Sequence, residues 1–62
     1  MDRVKFLKDV SNNTIQYKAN SLHEIISEDK ENYFVRQPDC PKNKNWATMF
    51  SKKCEDDLFV VL

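Results

Sequence analysis

No glycine occurs anywhere in the 62 residues, and this absence limits the chain before any element is assigned. Glycine takes up positive φ at no steric cost, so tight turns here fall to asparagine, which tolerates that conformation. Loops that cradle a phosphate in backbone N–H groups need glycine for close approach. Phosphate-binding loops, dinucleotide fingerprints and the nucleophile elbow of hydrolases are therefore excluded. Length sets the second limit. A chain of 62 residues supports one compact domain, residues 1–62, whose thin core needs its large side chains for packing and leaves no room for a large internal cavity. With 40% hydrophobic and 11% aromatic residues, it is too apolar to be disordered.

Charge and cysteine content narrow the classes further. Lys+Arg and Asp+Glu number 10 each, for a net charge of zero. Whole-molecule electrostatics therefore give no affinity for a polyanion, and a DNA mimic would need a strong acidic excess. No run approaches the apolar length that spans a bilayer, and the start Met1-Asp2-Arg3-Val4-Lys5 lacks a secretory leader. Starting at Met1 without a tag-like segment, the sequence reads as a complete small gene product. Cys40 and Cys54 are too few for a disulfide scaffold, so the expected setting is the reducing cytoplasm. The sequon Asn12-Asn13-Thr14 would then stay unmodified. Eight lysines and six asparagines against two alanines suggest an AT-rich coding sequence, as in a phage, a mobile element or a low-GC bacterium.

Hydrophobic periodicity predicts the elements. Val4, Phe6 and Val10 share one face of a first strand, Val4–Val10, with Lys5, Leu7 and Asp9 on the other. Ser11-Asn12-Asn13 is a turn, and Thr14–Ala19 alternates with Ile15, Tyr17 and Ala19 on one side, completing a β-hairpin. Ser21-Leu22-His23-Glu24 has the form of a capping box, and Leu22, Ile25 and Ile26 follow at helical spacing. A short helix of about two turns is expected from there, fraying in Ser27-Glu28-Asp29-Lys30-Glu31, where acids oppose the helix dipole. Asn32–Gln37 reads as a strand stopped by Pro38, followed by a Pro38–Pro41 loop and the polar run Lys42–Asn45. Trp46–Ser51 is either a short helix capped by Asn45 or an irregular loop pinned by its aromatics. Lys53–Asp57 is a charged turn. Leu58–Leu62 is a wholly apolar last strand, placed in the interior of the sheet because such a run is an aggregation hazard at an edge. The expected fold class is α+β, ββαβ(α)β: an antiparallel sheet of about four strands with one short helix packed on it.

The residues offer little for catalysis. His23 is the only histidine and sits on the expected helix, where a partly packed surface residue explains it. A Cys/His catalytic pair would need it beside an activated Cys40 or Cys54. The cysteines are separated by thirteen residues, without a C-x-x-C motif, and three Cys/His ligands fall short of a structural zinc site. The acids Glu24, Glu28, Asp29 and Glu31 form a solvated face. No enzyme activity, cofactor or metal is expected. The segment Lys42–Lys53 stands apart, carrying four lysines, the single tryptophan, Met49 and Phe50 without an acid. Lys42, Lys44, Trp46, Met49, Phe50, Lys52 and Lys53 are the candidate partner-binding residues, since aromatics and Met are enriched at protein interfaces. The structural alternative is that Trp46 and Phe50, four apart, anchor the segment to the core and the lysines are its solvated side. The leading expectation is a non-enzymatic interaction protein that binds and modulates a larger protein, such as a phage or mobile-element product acting on host machinery. In size and arrangement only, the layout is similar to small phage-encoded inhibitors of host enzymes, with no motif that assigns residue roles. A nucleic-acid-binding or transcription-linked protein using the same lysines and aromatics is the second expectation. A homodimer covering an exposed strand edge or Val60-Val61-Leu62 is the third.

Overall fold

The computed structural model describes residues 2–12 and 14–62. Seven strands follow in order: β1 (Arg3–Phe6), β2 (Val10–Asn12), β3 (Ile15–Tyr17), β4 (Leu22–Glu28), β5 (Asn32–Arg36), β6 (Ala47–Ser51) and β7 (Phe59–Val61). A single 3₁₀ turn, Lys52–Cys54, lies between β6 and β7. Five strands form one antiparallel sheet in the order β6-β5-β4-β1-β7, and β2 and β3 form a separate two-stranded sheet. The α+β expectation is thus corrected to a mostly β fold with no α-helix among the described residues.

The segment expected as a helix is β4, the central strand. Its first half pairs with β1 through Arg3↔Glu24, Val4↔His23 and Lys5↔Leu22. Its second half pairs with β5 through Ile25↔Val35, Ser27↔Phe34 and Glu28↔Tyr33, with a register shift between Ile25 and Ser27. A two-turn helix ending in acids is marginal alone, whereas a strand flanked on both sides has its backbone groups satisfied by ladders. The Ser21 hydroxyl caps nothing; it donates to the Lys18 carbonyl and meets His23 Nε2 at 2.8 Å.

The first expected strand also divides. β1 ends at Phe6, and the chain turns a corner through Leu7, Lys8 and Asp9 before β2. That corner is held by the segment after β3. The Asn20 N–H donates to the Phe6 carbonyl at 2.7 Å, the Phe6 N–H to the Ser21 carbonyl at 3.1 Å, and the Ala19 N–H to Asp9 Oδ1 at 2.8 Å. The hairpin therefore joins β2 to β3, with Val10↔Tyr17 and Asn12↔Ile15 as partners. Asn13, expected in its turn, lies outside the described residues, as does Met1. Without glycine, positive φ among the described residues falls to Asn20 (67°) and Asp56 (71°), both short polar residues that accept the left-handed region.

The sheet is rolled. β6 and β7 stand at opposite ends of the strand order, about 19 Å apart if the sheet were flat, at ~4.8 Å per strand. Yet the Phe50 and Phe59 rings, one on each, have centroids 5.8 Å apart. Phe6 packs against both, at 5.4 Å from Phe50 and 5.8 Å from Phe59. Val4, Phe6, Tyr17, Ile25, Val35, Phe50 and Phe59 are buried together as the core. The hairpin closes over this core through Tyr17, whose ring lies 4.8 Å from that of Phe6. Its hydroxyl lies 3.0 Å from Thr48 Oγ1 and 3.3 Å from the Val35 carbonyl.

Two further expectations are corrected. Trp46–Ser51 is neither helix nor loop but contributes β6, paired with β5 from Asn32↔Ser51 to Arg36↔Ala47. The apolar C-terminal strand is not interior: β7 pairs only with β1 and ends the sheet. The chain protects this edge with its own turn, the Asp56 N–H donating to the Phe59 carbonyl at 2.7 Å.

Candidate functional site

The candidate segment Lys42–Lys53 is distributed over three environments. Lys42, Lys44 and Trp46 belong to the loop, residues 37–46, that joins β5 to β6. Met49 and Phe50 are neighbours on β6 and face opposite sides. Lys52 and Lys53 begin the 3₁₀ turn. Phe50 is 7% exposed and stacks edge-on against Phe6, Tyr17 and Phe59, so it is a core residue. Met49, its neighbour, is 59% exposed and shares the outward side with Phe34, its cross-strand partner. Lys52 is occupied. Its Nζ lies 2.6 Å from Glu28 Oε2 and 5.0 Å from the Tyr33 ring centre, and the hydrogen bond to Glu28 holds its ammonium above the ordinary lysine range. Lys42, Lys44 and Lys53 are exposed.

The loop has an ordered frame. Arg36, the last residue of β5, donates through Nη2 to the Pro41 carbonyl at 2.8 Å and through Nη1 to Asn45 Oδ1 at 3.5 Å. The Cys40 sulfur accepts the Trp46 N–H at 3.2 Å and lies within 3.3 Å of the Pro41 and Lys44 carbonyls. The Gln37 N–H donates to the Trp46 carbonyl at 2.9 Å. These contacts fix the Trp46 backbone while leaving the residue 48% exposed. Beside it, between the start of β4 and the end of β5, runs an open cleft of about 320 Å³. Leu22, His23, Glu24, Arg36, Gln37, Pro38 and Cys40 line it. Two of these, Gln37 and Cys40, also hold the Trp46 main chain, so the loop that carries the tryptophan is tied to the cleft wall.

Leu22, Arg36 and Pro38 escaped the sequence expectation. Leu22 was assigned to an apolar helix stripe facing a core; on a strand it is 49% exposed. Arg36 is a lone strand-end cation whose role depends on where the loop returns.

The cleft's reactive groups are already engaged. His23 packs edge-on against Tyr17 and Phe6, at 4.8 and 5.6 Å, and burial pushes its pKa below the ordinary histidine value. Its Nε2 is bonded to Ser21, and the Cys40 sulfur is bonded within its own loop. Cys54, the other free thiol, is packed against the core from the 3₁₀ turn. Among the described residues, no group of three or more His, Cys, Asp or Glu is placed to hold a metal ion. No helix among them is long and apolar enough to cross a membrane.

The cleft can therefore offer contact. Leu22 and Pro38 give apolar wall, and Arg36, held by its bonds to the loop, and Glu24 give charges of opposite sign. Set against known proteins, the chain matches no family model, no curated protein and no solved structure at a significant level.

Proposed function

We propose that the protein is a non-enzymatic interaction module that binds and modulates a larger protein, using the Leu22–Arg36–Pro38 cleft and the adjoining Trp46 as its contact surface. The observation that carries this reading is an open cleft with Leu22 in its wall, beside a hydrogen-bonded loop that carries an exposed Trp46. Leu22 and Trp46 are each about half exposed in a chain whose core draws on nearly every other aromatic. Trp and Arg are the residue types that dominate interface energetics when they fill or line a pocket, and here both are positioned by backbone hydrogen bonds before any partner arrives. The two free thiols fit a reducing compartment such as the cytoplasm.

The test uses the purified protein as bait, followed by calorimetric titration of the captured partner with single variants. Trp46→Ala costs about 2 kcal/mol or more, roughly 30-fold in affinity, and Lys53→Ala well under 1 kcal/mol. Melting temperatures accompany both titrations. If Trp46→Ala lowers stability as much as affinity, Trp46 is an anchor of the fold. If the lysine variants abolish binding while Trp46→Ala leaves it intact, the surface is electrostatic. Binding to oligonucleotides that weakens steeply with salt would then favour nucleic acid, with Lys42, Lys44 and Lys53 as its phosphate contacts.

A further inference from the structure

We infer that the cleft is a slot for the free C-terminus of a partner polypeptide, whose last residues lie along the first half of β4 and set their carboxylate between the Glu24 N–H and Arg36. The inference deepens the proposed function and rests on its reading of the cleft as the contact surface. It starts from the way the sheet comes apart there. The β4–β5 ladder stops at Ile25↔Val35, although β4 begins at Leu22. Continued in register, the ladder would set Glu24 opposite Arg36 and Leu22 opposite Pro38. Neither pair forms, and each failure has a cause. The Arg36 carbonyl, which the Glu24 N–H would meet, lies 3.5 Å from the Tyr17 hydroxyl instead. Pro38 has no N–H to give the Leu22 carbonyl.

The main chain of β4 points to its two sides in alternation. Bonds from the Ile25 N–H to Asp2 and from the Phe6 N–H to Ser21 direct the odd-numbered residues toward β1. Leu22 and Glu24 therefore turn their N–H and C=O groups toward the cleft. The Leu22 N–H and C=O and the Glu24 N–H have no strand opposite them. An extended polypeptide completes such a row with its own main chain.

The slot is closed at one end. At Ile25↔Val35 the two strands rejoin, so an extended chain lying in the plane of the sheet must finish there. The stretch from Leu22 to Glu24 is about 7 Å long, room for the last three residues. Charge decides which terminus fits. An ammonium group would oppose the Glu24 N–H, whereas a carboxylate accepts it. Arg36 lines the same cleft and spends only two N–H groups on Pro41 and Asn45, which leaves others for a carboxylate. The Glu24 side chain lies on the outer face with Arg3 directly across from it on β1, so two arginines flank one acid. A chain parallel to β4 makes three main-chain bonds. Its last N–H donates to the Leu22 carbonyl, its carboxylate accepts the Glu24 N–H, and the carbonyl two residues back accepts the Leu22 N–H. The last side chain turns inward beside His23 and must be small; the one before it lies outward against Leu22 and Pro38 and is apolar.

Amide-resolved NMR titration with the blocked peptide acetyl-Ser-Val-Leu-Ala, as free acid and as C-terminal amide, provides the test. The free acid at millimolar concentration is expected to shift the Leu22 and Glu24 amides to saturation and to slow their hydrogen exchange. Amidation, which leaves the protein untouched, should weaken binding about ten-fold or more, as should methylation of the last peptide nitrogen. Arg36→Gln should bind acid and amide equally, and acetate should leave both protein amides unmoved. No saturable shift at Leu22 and Glu24, an amide that binds wild type as well as the acid does, or the same shifts from acetate overturns the proposal. The proposed function is judged apart. If a captured partner protects the Leu22 and Glu24 amides and keeps its affinity after a Gly-Ser tail is added to its C-terminus, the contact surface stands and the chain-end proposal falls.

Discussion

Replacing Tyr17 by Phe removes one oxygen from the point where the hairpin meets the sheet. The Tyr17 and Thr48 hydroxyls are 3.0 Å apart, and the Val35 carbonyl is 3.3 Å from the tyrosine oxygen. With one proton each, the two hydroxyls can satisfy one another and the carbonyl. Phenylalanine keeps the ring against Phe6 and deletes a net contribution of ~0.5–1.5 kcal/mol per hydrogen bond. It also strands the Thr48 hydroxyl, on a residue only 6% exposed, at a further cost of ~1 kcal/mol or more. The expected loss is about 2 kcal/mol, a large share of the ~3–9 kcal/mol typical of a domain this size. The melting temperature should fall by roughly 10–15 °C. Urea titration followed by far-UV circular dichroism measures the loss, and a double-mutant cycle with Thr48→Val isolates the pair. The cycle should return a coupling of about 1 kcal/mol. A single-variant loss under about 0.5 kcal/mol, or strict additivity in the cycle, would refute the anchoring role. Alkali gives an independent reading. Burial raises the Tyr17 pKa above its ordinary value, so its contribution is intact below pH ~10 and is lost as pH rises through the folded-state value. The Phe variant lacks that share of the alkaline loss.

Three other outcomes follow from the same contacts. Phe59→Asp puts an unpaired carboxylate among Phe6, Tyr33 and Phe50, costing several kcal/mol, so the variant should show no cooperative melt at 25 °C; a melt near wild type would show that β7 is not needed to close the sheet. His23 has a lowered pKa from burial, so its stabilising effect is complete above pH ~6.5 and is lost as pH falls through the folded-state value. The urea midpoint should drop between pH 7 and pH 5, and His23→Gln should flatten that drop. Asp29 is held below the usual carboxylate range by the N–H groups of Glu31 and Asn32, which its side chain accepts at the β4–β5 turn. Its contribution is therefore present above pH ~4 and lost below it; Asp29→Ala should lower the melting temperature at pH 7 and remove part of the acid transition.

What the sequence made legible depends on how cleanly each strand alternates. β3 alternates, and Ile15 and Tyr17 point where expected; β5 was placed to within a residue because its β-formers end at a proline. β4 failed for a specific reason. Its register shift between Ile25 and Ser27 breaks the period-two pattern and leaves Leu22, Ile25 and Ile26 at helical spacing. Ser21 and Glu24 then completed a capping signature that the sheet overrides. In β6 the polarity is inverted, with Thr48 buried and Met49 exposed, so hydrophobicity gave no strand signal. Thr48 is inside because the Tyr17 hydroxyl waits there, a partner 31 residues away. β7 reads as interior because the last five residues of the chain, Leu58–Leu62, are all apolar, whereas the 55–57 turn that shields it is visible only in three dimensions. The candidate site divided for the same reason. Trp46 and Phe50 are four apart in sequence, but one lies half exposed in the loop before β6 and the other in the core. The cleft itself joins β4 to the loop after β5, and no local pattern announces such a meeting.

Everything above depends on the sheet rolling until its two ends meet. Nuclear Overhauser spectroscopy on the isotope-labelled protein tests that closure directly, through ring-proton contacts between Phe50 and Phe59. These contacts are expected, together with cross-strand contacts between Val4 and His23 and between Ser27 and Phe34. Strong sequential amide–amide contacts through 21–28, the mark of a helix, with no contact between the Phe50 and Phe59 rings, would contradict the account.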